Sequence, residues 1–394
     1  FRHVGVGNLP GNRKVALYIF SDKYSTGRRR TVMPARNHRN WLKKPTNVEY
    51  VDSRIYSDYK IYQEEIKNIF AKVWIPMCHK SELPNKDDFR TSQIAFQNVV
   101  AVNHGDTFQV YHNPGIRGVA GNLKSESIEG FKELPTEVKH GGMIWTTLDT
   151  NPTMSVEQWT CGAFDCIADA IDTEELDIFH YHKAIIPTNY KLWHDTNSEF
   201  YHDFMHYFNR VTGFNDEYFA RKNVPFDNGH VNVSSFTVNY TEFDKDGDRG
   251  ELSFPNLPPN QWYMVDLFPG FNFNLRGSAY RSDSVTPLGP NSVLIEFRGY
   301  GLLKDTPQER ATRIKHHNTI WGPFGRNLHE DLLGVTGQGA SMVPGSETRT
   351  ILHGRHENST IHDEVGMRHY YAEWGKYLDL DPSNPVVIKE ELAA

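Results

Sequence analysis

The spacing of apolar residues along the chain changes character twice, and each change marks a boundary. Up to residue 47 there is no regular period, only basic stretches broken by Gly and Pro, such as Gly27-Arg28-Arg29-Arg30; this reads as an extended arm, residues 1–47, packed on another subunit or domain. Residues 58–74 then set Tyr59, Tyr62, Ile66, Ile69, Phe70 and Trp74 at helical spacing, which predicts one amphipathic helix. Short alternating runs follow, IAFQNVVAVN, TFQVYHN after a His104-Gly105-Asp106 turn, and GGMIWTTLD. They predict a small antiparallel β-domain over residues 48–150. Beyond Pro152 the runs lengthen, with strands expected in HVNVSSFTVNYTEF, WYMVDLFPGFNFNLRG, AYRSDSVTPLGP and NSVLIEFRGYGLL, and turns at Asp244-Lys245-Asp246-Gly247 and Pro287-Leu288-Gly289-Pro290. Connections this short allow only antiparallel pairing. Residues 306–333 read as a helix interrupted at Gly322-Pro323-Phe324-Gly325, and residues 364–378 as a closing helix. The expected fold class is therefore α+β, with a larger domain over residues 151–394.

Composition narrows the function classes. With 394 residues the chain is too long for one ordinary core, and 38% hydrophobic with 13% aromatic residues excludes a disordered or collagen-like chain. A formal charge of −7 offers no general attraction to phosphate backbones or anionic lipid, so neither nucleic acid nor membrane is an expected partner. No window approaches the apolar length of a membrane span, and the first twenty residues lack a signal-peptide core, although the start at Phe1 rather than Met leaves room for residues upstream. Cysteine is limited to Cys78, Cys161 and Cys166, without a C-x-x-C pair. That excludes a disulfide framework and a four-thiolate metal site, and points to a reducing, cytoplasmic setting. The 19 histidines make imidazole the natural metal ligand.

The chemistry concentrates in Asn189-Tyr-Lys-Leu-Trp-His-Asp195-Thr-Asn-Ser-Glu199-Phe-Tyr-His202-Asp-Phe-Met-His206. On a helix Glu199, His202 and His206 share one face, and two imidazoles one turn apart are spaced to hold one ion. The apolar surroundings, Phe200, Phe204, Met205 and Phe208, strengthen the signal, because imidazoles inside such a wall need a proton partner or a metal. A third ligand should be a carboxylate, since two His and one carboxylate on one side of the ion leave adjacent positions open. Asp331 is best placed, in competition with Glu330, Asp363 and Glu364.

These motifs resemble those of the α (oxygenase) subunits of Rieske-type non-haem iron ring-hydroxylating oxygenases. Asn189-Tyr190-Lys191 matches the Asn-aromatic-Lys opening of that family. Glu199-x-x-His202 with His206 matches its metal motif, and Gly322-Pro323-x-Gly325 with Glu330-Asp331 its late acidic motif. The likeness runs from about residue 50 to 378, including Glu64-Glu65 to Trp74, His79 to Pro84 and Arg368 to Trp374. It implies a Rieske-like β-domain beside a helix-grip catalytic domain, an antiparallel sheet with helices. It also implies a mononuclear Fe(II) held by His202, His206 and Asp331, and a catalytic Glu199 in place of the family's Asp, which hydrogen-bonds a ligand histidine and links it to the neighbouring subunit's cluster.

The resemblance breaks at the cluster. A Rieske [2Fe–2S] centre takes two Cys and two His from C-x-H and C-x-x-H loops, and this chain has neither loop. His112-Asn113 and Arg117-Gly118 look like the first loop with its ligands gone, and the second loop is deleted. No [2Fe–2S] cluster is therefore expected in this chain. The implied function is oxygen insertion into an aromatic or other apolar small substrate, with electrons from a cluster-bearing α-type subunit, alongside a ferredoxin or reductase and a possible β subunit. The alternative is a non-catalytic structural or regulatory subunit of a mixed oligomer.

Overall fold

In the computed structural model the helix expected near the start of the chain forms, shorter than its spacing predicted and preceded by a separate helical turn. After strand β1 (Tyr50–Asp52), helix α1 (Arg54–Ser57) stops at Asp58, whose carboxylate accepts the Lys60 and Ile61 N–H groups and so starts α2 (Tyr59–Glu65). A π-helical turn, Ile66–Phe70, extends α2 and ends short of Trp74. The described residues are 50–123, 128–212, 214–238, 252–346, 348–353, 356 and 360–385. The expected arm and the Asp244-Lys245-Asp246-Gly247 turn lie outside them, as does the Phe208 side chain.

Two small antiparallel sheets follow. Strands β2 (Ile75–His79), β3 (Asp88–Ile94), β4 (Gln97–Asn103), β5 (Phe108–His112), β6 (Ala120–Asn122), β7 (Glu133–Leu134), β8 (Thr136–Lys139) and β9 (Met143–Thr146) pair in the orders β2-β9-β8 and β6-β3-β4-β5-β7. The turn between β4 and β5 forms where Gly105 takes φ of 98° and Asn103 accepts its N–H. Helices α3 (Val156–Thr160) and α4 (Ala168–Ile171) lead to β10 (Leu176–Ile186), an edge strand the apolar pattern did not announce. Helices α5 (Tyr190–Ser198), α6 (Tyr207–Thr212) and α7 (Asp216–Ala220) come next. The chain then builds β11 (Asn223–Phe226), β12 (His230–Thr237), β13 (Gln261–Leu267), β14 (Phe271–Arg276), β15 (Ala279–Gly289) and β16 (Ser292–Leu302) as a meander, closed by β10 in the order β10-β16-β15-β14-β13-β12-β11. The run WYMVDLFPGFNFNLRG is two strands, because the Gly270 N–H bonds back to Leu267 at a turn whose φ of 151° only glycine adopts readily.

The helices that cover this sheet are α8 (Pro307–Ile320), started by a Thr306–Glu309 capping box, and α9 (Arg326–Ser341). The break between them needs glycine: a Cβ on Gly325 would lie 2.4 Å from the Ile320 carbonyl oxygen. Strand β17 (Thr350–Leu352) pairs with β1, and α10 (Val365–Leu378) closes the chain. The fold class is α+β with antiparallel sheets, as the spacing predicted. Among the described residues no helix is long and apolar enough to cross a membrane.

One face of the large sheet packs on the small sheets. Trp145 of β9 stacks on Phe273 of β14, and a single apolar core runs from Val51 to Trp374 through both. Helix α5 is fixed by buried polar groups instead. Asn189 caps it by accepting the Lys191 N–H, and donates to the carbonyls of Tyr56 and Pro290. Lys191 meets Glu65 at 2.5 Å, both fully buried, and Trp374 adds an N–H to the same carboxylate oxygen. Burial pushes the Glu65 carboxyl up and the Lys191 ammonium down, and their mutual attraction opposes both shifts. Tyr56 and Tyr371 donate to Asp195 from two further elements. The Asn-Tyr-Lys opening thus has a structural cause, the seating of α5.

Removing one partner leaves a buried charge without its counterion. Lys191→Ala is expected to lose about 3–5 kcal/mol of stability in denaturant unfolding. A Glu65→Leu/Lys191→Met double variant should recover most of it.

Candidate metal centre

Helix α5 does not carry the histidines. Thr196 and Asn197 both turn their side chains back to the Trp193 carbonyl, and Ser198 donates to Asp266, so the helix ends before Glu199, which is extended. Residues Tyr201–Met205 then form a 3-10 turn, with His206 just beyond it at the start of α6. The expectation of one helix bearing Glu199, His202 and His206 is corrected here, yet the side chains converge. The His202 and His206 ring centroids are 5.3 Å apart, and Asp331 of α9 places Oδ1 3.5 Å from His202 Nε2 and 3.0 Å from His206 Nε2.

The other ring nitrogens are committed. His202 Nδ1 lies 2.7 Å from Glu199 Oε1, while Glu199 Oε2 accepts the Tyr201 and His202 backbone N–H groups. His206 Nδ1 lies 2.8 Å from Glu330 Oε2, and Glu330 Oε1 accepts the Tyr207 N–H. A carboxylate on Nδ1 keeps a proton there, so that a ring neutralised by metal binding would turn its Nε2 lone pair to the same spot. Burial disfavours charge on His202, but Glu199 and Asp331 outweigh it and hold the imidazole well above its ordinary range. Asp331, despite burial, is held below the usual carboxylate range by the two rings. The pocket between them therefore favours a cation. Asp331 Oδ1 is buried with no donor aligned on it, and two imidazoles with a carboxylate suit a divalent transition metal with open positions.

Of the other carboxylates weighed from the sequence, Glu330 serves His206. Asp363 pairs with Arg368. Sequence reasoning missed Asp203, whose ligand atom lies within 4.8 Å of those of His202 and His206; its Oδ2 accepts the Tyr218 hydroxyl. An acid adjacent to a candidate ligand was the available signal.

No protein-family profile matches the chain. It is 52% identical to the methanesulfonate monooxygenase hydroxylase subunit alpha of Methylosulfonomonas methylovora, over 90% of this chain and 97% of that one. It is 32% identical to the 2-aminobenzenesulfonate 2,3-dioxygenase subunit alpha of an Alcaligenes species, over 85% and 96%. The chain belongs to the Rieske-type non-haem iron oxygenases, as an α subunit. Solved structures agree in fold. A quaternary ammonium Rieske monooxygenase matches with a TM-score of 0.67 at 15% identity over 84% of this chain and 95% of that one. A naphthalene 1,2-dioxygenase bound to phenanthrene also reaches 0.67, at 14% identity over 85% and 93%. The α subunit is an oxidoreductase of the non-haem iron mono- and dioxygenase class, and such subunits work with reductase or ferredoxin partners and often with a β subunit. The first alignment runs to 404 positions, longer than this 394-residue chain, yet leaves a tenth of the chain unmatched. That relative therefore has several tens of residues with no counterpart here.

The sheet face toward the ligands is polar. Cross-strand register puts His180, Gly299, Arg281, Asn274 and Met264 in one row, and His182, Phe297, Asp283, Asn272 and Asp266 in the next. Phe271 and Phe273 alternate to the opposite face and join the core.

In the metal-free α subunit, Asp331→Asn should lower the pKa of His206, because the buried ring loses the charge that raises it. Titration of the ring resonances by NMR measures this; an unmoved His206 means the ring does not face Asp331.

Proposed function

We propose that His202 Nε2, His206 Nε2 and an Asp331 oxygen hold a mononuclear Fe(II), and that this chain is the oxygen-inserting subunit of an assembly whose reducing power comes from elsewhere. The observation that carries the reading is the convergence of two Nε2 atoms on one buried carboxylate oxygen. When bound, the iron supplies dioxygen activation at its open coordination positions. The chain's own groups do the rest: Glu199 and Glu330 fix the Nδ1 protons, and α5, seated by its buried ion pair, sets where the ligand turn begins. Residues 48–150 are read as the Rieske-like β-domain and 151–394 as the catalytic domain.

A [2Fe–2S] centre does not fit the residues present. Cys78 is buried in β2, the Cys161 thiol bonds the Gln158 carbonyl and lies 3.2 Å from Asn228 Nδ2, and Cys166 bonds the Ala163 carbonyl. In the five-stranded sheet, where the loops would sit, His104 bonds Tyr111, and Asn113 closes a tight turn by accepting the Gly115 and Ile116 N–H groups. Electrons then come from a cluster-bearing α-type partner with its ferredoxin or reductase. The three unpaired thiols support a cytoplasmic setting.

The substrate expected from the sequence was aromatic or otherwise apolar. The two relatives named act on organic sulfonates, and a polar sheet face beside the site supports a narrower choice, an apolar carbon carrying a sulfonate.

Metal analysis tests the assignment. Purified chain should hold about one iron without the visible absorption of a cluster. His202→Ala, His206→Ala and Asp331→Asn should lose it, Asp203→Asn should keep it, and Glu330→Gln should weaken iron affinity about 10- to 100-fold. Wild-type protein that takes up no iron supports the non-catalytic subunit instead. Turnover without a cluster-bearing partner defeats the external supply of electrons.

A further inference from the structure

Three guanidiniums lie buried on the sheet face and its flank, interleaved with two indoles. Arg221 and Arg276 both lie over the Trp262 ring, at 4.2 and 4.9 Å, and Arg276 and Arg281 both lie over Trp321, at 5.6 and 4.8 Å. All three are at least 95% buried. Arg221 donates its Nε–H to the Tyr218 carbonyl, whereas for Arg281 the cation–π contact stabilises the guanidinium without occupying its N–H groups. On Arg281, Nη2 approaches Asp283 Oδ2 at 2.7 Å, while Nε is buried without an acceptor. Beside it in the register, both polar atoms of the Asn272 amide are also buried without partners, as are both ring nitrogens of His317 above Gly299. Buried donors without acceptors are costly, and a cluster of them on one wall marks a place built for a polar ligand.

Position relates this wall to the proposed metal centre. The row that holds Asp283 and Asn272 continues to Asp266, which accepts the Ser198 hydroxyl one residue before Glu199. Trp321, which both Arg276 and Arg281 overlie, sits just before the Gly-Pro-Phe-Gly break that leads into α9 and Asp331.

We propose that Arg281 binds the oxyanion head of an organic sulfonate and thereby turns the substrate's carbon toward His202, His206 and Asp331. This inference rests on the sulfonate reading above and adds the residues that select it. A guanidinium edge offers parallel N–H groups to two oxygens of one sulfonate, the geometry that suits planar recognition of oxyanions. A neutral ligand of the same shape leaves those donors unanswered, so the wall discriminates by charge rather than by size.

Equilibrium binding to the iron-loaded full chain, measured by calorimetry, tests this with methanesulfonate and with dimethyl sulfone, which has nearly the same shape and no charge. Wild type should prefer methanesulfonate by about 10-fold or more. Arg281→Gln should weaken methanesulfonate about 100-fold and leave dimethyl sulfone within a few-fold, with iron content unchanged. Arg281→Lys should retain an intermediate affinity. If Arg281→Gln does not fold, the wild-type preference and the Lys variant decide. Equal wild-type affinity for the two ligands, or an Arg281→Gln protein that holds methanesulfonate as tightly as wild type, overturns the inference. Iron-replete protein without charge preference defeats this inference alone, whereas wild-type protein without iron defeats the proposed metal centre.

Discussion

Two imidazoles can offer lone pairs to one point only if each disposes of a proton on its other nitrogen. In this α subunit two glutamates do that. Glu199 and Glu330 each take an Nδ1–H, and each also accepts at least one backbone N–H beside the ring it holds. The ring tautomer and the path of the main chain are therefore set by the same carboxylate, which is why the two rings converge without an α-helix to align them. The elements around the large sheet serve this arrangement. The buried Lys191–Glu65 pair seats α5, α5 fixes where Glu199 begins, and the glycine break before α9 brings Glu330 and Asp331 to the opposite side.

Much of this was legible from residue types. Alternation and turn residues found the meander of the large sheet and most strands of the small ones. The spacing of Glu199, His202 and His206, with the late Glu330-Asp331 pair, found the side chains that meet. What failed was local conformation. Helical spacing over residues 199–206 was real, but Thr196, Asn197 and Ser198 compete for backbone and neighbouring acceptors and stop the helix first. A 3-10 turn with His206 at its end still brings the rings to one side. Asp203 was hidden because adjacency to a ligand says nothing about direction until the turn is known.

The polarity of the sheet face was hidden for a different reason. In MVDLFPGFNFNLRG the aromatic residues dominate the eye, yet period two sends Phe271 and Phe273 to the core and turns Asn272 and Asn274 inward to the site. Which face is which depends on what each packs against, and that is a tertiary fact. Arg276 and Arg281 follow from the same register. A chain of the same fold with leucines there would present an apolar face, so the polarity of this side of the sheet is carried by a few alternating positions on a common scaffold.

The apolar core that passes from Val51 through Trp145 and Phe273 to Trp374 ties the small sheets to their large neighbour through packed side chains. A module anchored in this way draws its shape from residues it shares with the larger sheet, so changes in its outer loops are separated from the packing that holds it in place.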